Sequence, residues 1–291
     1  MLGDKEIKTF LSIDFEDFSH DLMRDLSITK HPSIRLEALY KSYYQINNFL
    51  KKQERDGSSK ATFFCTAHIA KKAPDLIKAI SNEGHEIGCH YYYHDIMEHQ
   101  TNKMVEKMLG RARDCLEDAS NQKVVGFRAP KFRICKHSPD QYRIVQKYFE
   151  YDSSFFTSSF ASVNLFKKEM GLNTLKILPI FQDKVFGVNM KMGGSYLKIF
   201  PTFMTKKLIE KSKNEGLVPH IYLHPYEFST EQDFRLKISQ MKNLHIVKKL
   251  SWAMRQHQWL SVGNNSIPKK LNYLIGSKGL GGRLSGYLLD R

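Results

Sequence analysis

Short strand-like runs alternate with stretches of helical period along most of this chain, and that alternation limits the fold more than any other feature. Residues 7–13, 61–66, 86–89, 124–127, 175–180 and 218–223 read as strands. Between and after them, residues 34–52, 74–82, 101–119, 138–149, 201–214 and 234–255 read as helices, from apolar spacing and from Pro74 and Pro139 at starts. A polar run at Asp56, Gly57, Ser58 and Ser59 is an expected turn, as is Gly193–Gly194 ahead of the helix near Pro201. Strands joined through helices make βα units and a parallel sheet, here expected to curl into a barrel. No internal repeat and no linker interrupts the pattern. One barrel domain over residues 1–266 is expected, followed by a basic and apolar extension over 267–291.

The chemistry-bearing residues share one placement. Asp14, Glu16 and Asp17 follow the first strand, His90 and His94 the third, Arg128 the fourth and His224 the last. In α/β barrels that rim is where catalytic groups gather. If the chain turns helical after His90, the four-residue spacing puts both imidazoles on one face. Two neutral imidazoles so placed can hold a divalent metal, given at least one further ligand.

Composition narrows the function classes. Of 291 residues, 41% are hydrophobic, enough for a sizeable core, and no stretch is long and apolar enough to cross a bilayer. The first residues carry no apolar run of signal-peptide kind. Cys65, Cys89, Cys115 and Cys135 are widely spaced, as thiols of a reducing compartment are. The expected location is cytoplasmic, at the inner face of the membrane if the chain meets lipid. A net charge of +15 favours anionic partners: phosphorylated small molecules or an acidic membrane surface. Nucleic acid is excluded as the expected partner, because zinc-finger spacing and aromatic–basic RNA signatures are both missing.

Five runs occur in a familiar order: TFLSIDFED over 9–17, GHEIGCHYYYH over 84–94, GFRAPKF over 126–132, YDSS over 151–154 and IYLHPYE over 221–227. Over residues 7–260 the chain resembles the polysaccharide deacetylases, the NodB-homology family. It is most similar to the branch with Asp-x-Glu-Asp in the first motif, often found with surface-glycan biosynthesis. The resemblance implies a distorted, incomplete (β/α) barrel and a divalent metal, zinc first. His90 and His94 would be metal ligands together with one carboxylate of the first motif. Strand alternation sets Asp14 and Glu16 on the same side, favouring Glu16, with Asp17 kept as the alternative. Asp14 would be the general base acting on a metal-activated water, Arg128 its partner, and His224 the general acid for the leaving amine. The Lys131 backbone N–H would complete an oxyanion site.

Three further residues are candidates for substrate contact. Tyr91 would stack on a sugar, Asp152 would hydrogen-bond near the site or cap a strand turn, and Tyr226 would sit beside the acid with Glu227. His20, His68, His85, His99 and His137 receive no site role. The implied reaction is hydrolysis of an N-acetyl group from an acetylated amino sugar, carried on a nucleotide or lipid phosphate whose charge suits the basic chain. The extension over 267–291, mixing Lys, Arg and apolar residues, is expected to touch an anionic membrane. The alternatives are a deformylase of a lipid-linked formamido sugar and a hydrolase of non-sugar cyclic imides or amides. A metal-free glycan-binding module is the non-enzyme alternative, although it would not need Asp14, Arg128 and His224 together. Oligomeric state has no signal in the sequence.

Overall fold

A computed structural model describes residues 7–29, 32–53, 59–229 and 233–289. The expected turn at Asp56, Gly57 and Ser58 lies outside the described residues, as do residues 1–6 and 290–291. In chain order the strands are β1 (Phe10–Phe15), β2 (Thr62–Cys65), β3 (Glu86–Cys89), β4 (Gly126–Phe127), β5 (Tyr151–Asp152), β6 (Phe156–Thr157), β7 (Lys176–Ile177), β8 (Ile180–Val185), β9 (Val188–Lys191) and β10 (His220–Leu223). Seven of them form one parallel sheet in the order β10-β1-β2-β3-β4-β5-β7, and β6, β8 and β9 form a second sheet. The first helices are α1 (Phe18–Asp25), α2 (Leu36–Lys52), α3 (Ala67–Lys72), α4 (Pro74–Asn82), α5 (Asn102–Ser120), α6 (Asp140–Tyr148) and α7 (Phe160–Glu169). After them come α8 (Gly194–Ile199), α9 (Thr202–Asn214), α10 (Pro225–Phe228), α11 (Ile246–Leu260), α12 (Ile267–Ile275) and α13 (Leu284–Leu289). The architecture is the α/β incomplete barrel that the sequence implied.

Residue choice explains the layering. Every residue of β1, β2 and β3 is buried, as parallel strands covered on both faces require. Helix α2 turns Leu39, Tyr43, Ile46 and Leu50 inward, one every three or four residues, and α5 does so with Val105, Leu109, Ala112 and Leu116. The second sheet reaches β10 through Gly193, which bridges to Tyr222, and through the Tyr222 N–H, which donates to Met192 O at 3.2 Å. A Cβ on Gly193 would lie 2.1 Å from Tyr222 O, so this approach between two backbones needs glycine.

The amino-terminal ends of the strands are sealed by the chain's last described segment. The Gly281 N–H donates to Thr9 O, the Leu284 N–H to Thr62 Oγ1 and the Ser285 N–H to Glu86 Oε2, at 2.9, 2.9 and 3.0 Å. Leu284 packs with Phe10, Phe64 and Tyr151 beneath the sheet. In the segment expected to meet a membrane, Ile267, Leu271, Ile275, Leu280 and Leu284 are buried against the barrel, while Tyr273 is 58% exposed.

Other boundaries moved for local reasons. The expected strand over 175–180 splits at Pro179, which has no N–H for a ladder, so β7 joins the first sheet and β8 the second. Pro219 likewise delays the last strand to His220. Gly194 opens a helix, not a turn. The helix expected over 234–255 starts only at Ile246, because Gln256 Oε1 accepts from the Leu236 N–H at 2.7 Å and holds that stretch outside any helix. The β8–β9 hairpin was missed. Phe186 and Gly187 form its turn with φ 49° and 78°, and its sequence lacks the Asn-Gly or Asp-Gly signal of such turns.

Candidate active site

Strand β1 ends by pointing Asp14 and Glu16 into one cavity, and the loop after β3 brings His90 and His94 to the same place. Glu16 Oε2 lies 2.6 Å from His94 Nε2 and 3.4 Å from His90 Nε2. One ligand atom from each of these three residues fits within a 4.8 Å spread, an arrangement that could hold a metal ion. Two observations fit a cation there. His90 Nδ1 is tied to Arg128 O at 2.8 Å, which leaves Nε2 facing Glu16. Buried Glu16 Oε2 has no hydrogen bond of sound geometry despite its close imidazoles, as expected where lone pairs converge on a shared centre. Burial pushes Glu16 up, but His94 and His90, with His224 beyond, outweigh it and hold the carboxyl well below the usual range.

Asp17 is not part of this group. Its Oδ1 accepts from the Ser19 and His20 N–H groups at 2.9 and 3.2 Å, and its Oδ2 from the Arg35 N–H at 2.6 Å. It is the N-cap of α1, which a Ser, Thr, Asp or Asn before a helix commonly is. In its place the structure brings up Asp21, one turn into α1. Asp21 Oδ2 lies 3.8 Å from His94 Nδ1, and both atoms are buried without a hydrogen bond. Burial lifts Asp21 well above the carboxylate range against the pull of His94, with Glu16, Asp17 and Asp25 pushing the same way as burial.

On one flank, Arg128 pairs with Asp14. The guanidinium is fully buried and fully engaged: Nη1 also donates to Ser12 Oγ at 2.9 Å, Nε to Ser153 O at 3.2 Å and Nη2 to Ser153 Oγ at 2.9 Å. His220 Nε2 lies 3.0 Å from Arg128 Nη2, and burial followed by that charge holds its imidazole well below its ordinary value. A neutral ring can accept from the arginine, so Asp14 meets a guanidinium fixed on every side.

On the other flank, Glu227 Oε2 accepts from the His224 N–H at 2.9 Å and sits 3.1 Å from His224 Nδ1. Buried Lys198 places Nζ 3.8 Å from the other Glu227 oxygen. Burial pulls His224 down, but the Glu227 hydrogen bond and charge, with Glu16 and Asp14 behind it, push it up to about 9. Its ring stacks on Tyr226 at 4.8 Å, and Nε2 faces Glu16 Oε1 at 4.0 Å.

Asp14, Glu16, Asp21, His90, His94, His224 and Tyr226 line a cavity of about 330 Å³, together with Lys131, Phe132, Ser195, Trp252 and Trp259. Tyr91, Lys131 and Phe132 hold left-handed backbone, with φ 69°, 54° and 57°. Non-glycine residues there cost about 1–2 kcal/mol each, and such strain collects at functional sites. A larger neighbouring cavity, about 480 Å³, is lined by His20, Arg24, His68, Tyr92 and Tyr93 among others and has no carboxylate among its described lining residues.

Of the expected substrate contacts, Lys131 and Tyr226 line the cavity. Two others do not. Tyr91 is buried with its hydroxyl donating to Gln100 Oε1 at 2.7 Å, because its left-handed backbone turns it away from the rim. Asp152 is buried and accepts from the Ser154 N–H and Oγ–H at 3.0 and 2.6 Å, the capping role left open for it. Ser12, Asp21, Lys198, His220 and the two tryptophans were missed. Ser12 and His220 sit inside strands, where sequence gives a core reading, and the rest come from helices whose approach to the rim is tertiary.

The polysaccharide deacetylase model matches residues 40–146 and a domain of unknown function, DUF3473, matches 153–265. A chitooligosaccharide deacetylase of Azorhizobium caulinodans is 34% identical over 77 residues, covering 26% of this chain and 37% of the relative. A peptidoglycan deacetylase of Helicobacter pylori is 25% identical over 145 residues, covering 50% of this chain and 44% of the relative. The chain thus spans less than half the length of these curated relatives. The fold is shared with a structure from Mycobacterium smegmatis assigned as a polysaccharide deacetylase, at TM-score 0.51 and 18% identity over 92% of each chain. It is shared too with a peptidoglycan N-acetylglucosamine deacetylase, at TM-score 0.50 and 14% identity over 96% of this chain and 86% of that one. Over residues 40–146 the chain thus matches the polysaccharide deacetylase family, and its fold is the one these solved structures share.

Proposed function

We propose that this protein is a metal-dependent N-deacetylase of an acetylated amino sugar, acting on a phosphate-linked precursor in surface-polysaccharide biosynthesis. One observation carries the reading. A buried Glu16 oxygen, set between His90 and His94 without a well-aligned hydrogen bond, shares a cavity with a fixed carboxylate on one side and a proton-bearing imidazole on the other. A divalent ion held by Glu16, His90 and His94, zinc first, would supply Lewis acidity and bring a water toward hydroxide near neutral pH.

The chain's own residues divide the remaining work. Arg128 fixes Asp14, which takes the proton from the attacking water. His224, oriented by Glu227, gives a proton to the leaving nitrogen, without which the amine is a poor leaving group. The Lys131 N–H is assigned to the carbonyl oxygen, where one such donor is worth roughly 3 kcal/mol. Tyr226, Trp252 and Trp259 provide apolar walls for a sugar, and the cavity volume lies at the small end for ligand sites, suiting one residue of a glycan. The +15 charge supports a substrate that carries phosphate.

The test is acetate release from nucleotide-linked, lipid-phosphate-linked and uncharged N-acetyl amino sugars, with and without added zinc. The reading expects zinc-dependent acetate, faster from the phosphate-linked substrates. Formate from a formamido sugar with no acetate from any substrate would replace deacetylation by deformylation.

A further inference from the structure

Helix α11 is apolar on two opposite faces. Trp252 and Trp259 line the catalytic cavity, and Gln256 and Leu260 are buried beside them. On the far face Val247, Leu250 and Met254, spaced i, i+3, i+7, are 67%, 52% and 75% exposed, with Ile246 next to them at 56%. A surface helix ordinarily turns polar residues to that side. Here the exposed stripe forms a shallow groove edged by Ser251, Arg255 and Gln258.

The charge carried by this part of the chain has one sign. From residue 234 to residue 289 the sequence contains no Asp or Glu. Arg255 edges the stripe, and exposed Lys237 and Lys242 lead into the helix. A second copy of the chain would bring the same cations face to face across a two-fold contact, which repels. An anionic lipid surface meets both demands, taking the apolar stripe into its headgroup–acyl boundary and pairing with the flanking cations.

We propose that the exposed face of α11 docks the protein on an anionic membrane, the same helix walling the catalytic cavity with its other face. Docking deepens the function proposed above, and only the lipid-linked identity of the substrate rests on that reading. A sugar on a lipid phosphate would then meet the cavity from a surface the enzyme already occupies.

The experiment is co-sedimentation of the full chain with phosphatidylcholine vesicles, with and without phosphatidylglycerol, beside acetate release from a water-soluble acetylated substrate. The chain is expected to bind the phosphatidylglycerol vesicles, and less so as salt rises. Val247→Ser/Leu250→Ser/Met254→Ser should weaken that binding at least about tenfold. Lys242→Gln/Arg255→Gln should weaken it and flatten its salt dependence. Both variants should keep the folded far-UV spectrum and the soluble activity of the parent. Loss of vesicle binding in the triple variant of a chain that releases no acetate would leave docking standing and remove the deacetylase reading alone. The docking idea is overturned if the parent ignores anionic vesicles, if the triple variant binds as well as the parent, or if the triple variant instead abolishes a concentration-dependent dimer.

Discussion

Two buried glutamates stand at opposite ends of the barrel and behave differently. Glu86, at the floor, has both oxygens satisfied: Oε2 accepts from Thr62 and from the Ser285 N–H, and Oε1 from the Tyr151 hydroxyl. Glu16, at the rim, is as deeply buried and keeps an oxygen without a sound hydrogen bond. The imidazoles repeat the contrast. His85 Nδ1 accepts from the Ala61 N–H and Nε2 reaches Asn47 Oδ1, at 3.3 and 3.4 Å, whereas His94 Nδ1 is buried and unpartnered. Burial with every polar atom paired builds structure. Burial with polar atoms left over is tolerated where a further group is to be bound.

That contrast is broken most strongly at Glu16. Glu16→Gln keeps the shape and removes the charge that a cation needs. Metal affinity should fall by more than the roughly 100-fold typical of losing an outer-shell partner, with thermal stability of the metal-free protein unchanged or raised. Metal titration and a melting curve read both. A Glu16→Gln protein that melts early but holds metal as the parent does would reverse the roles of rim and floor.

At the floor, acid should reveal His85. Burial holds it down at about 4, with Lys60 adding to the effect. A neutral ring in the fold and a protonated one in the unfolded chain make stability fall as pH drops from about 6.5 to about 4, by up to about 3 kcal/mol. Urea unfolding across that window should show a smaller fall for His85→Gln than for the parent, and equal falls would mean that His85 takes up its proton in the folded protein.

Glu86→Gln should cost about 2 kcal/mol of stability, since amide hydrogens would face the donors of Thr62, Tyr151 and Ser285. Metal stoichiometry of its folded fraction should match the parent's, and a loss of metal would contradict the division between the two ends. The smallest effect is expected at Glu227→Gln, which keeps a hydrogen bond to His224 and loses the charge. It should lower kcat about tenfold with little change in KM, and steady-state kinetics showing the loss in KM alone would make Glu227 a binding residue.

Much of the fold could be read from residue order, because β1, β2, β3 and β10 are short apolar runs separated by helices of clear period. The second sheet could not. β6, β8 and β9 are held by Gly193 against Tyr222, a contact nothing in the local sequence announces. The rim was readable because the carboxylates and imidazoles cluster at strand ends and recur in family motifs. Its supports were hidden: Asp21 and Lys198 reach the site from helical positions, and His220 looked like a strand residue. The choice between Glu16 and Asp17 turned on a capping role, since Asp17 precedes α1 and both its oxygens are occupied by backbone N–H groups. Mixed basic and apolar residues over 267–289 suit a lipid surface and a barrel floor equally well, and Ile267, Leu271, Ile275, Leu280 and Leu284 serve the floor. A contiguous exposed apolar stripe lies on α11.

The most direct test is metal analysis of the purified protein beside His90→Ala/His94→Ala, with acetate release measured on the same samples. The account predicts a stoichiometric divalent metal and acetate release in the parent, both lost together in the double variant. A parent that stays metal-free under every loading condition, or a double variant that keeps its metal, would contradict a centre built on Glu16, His90 and His94.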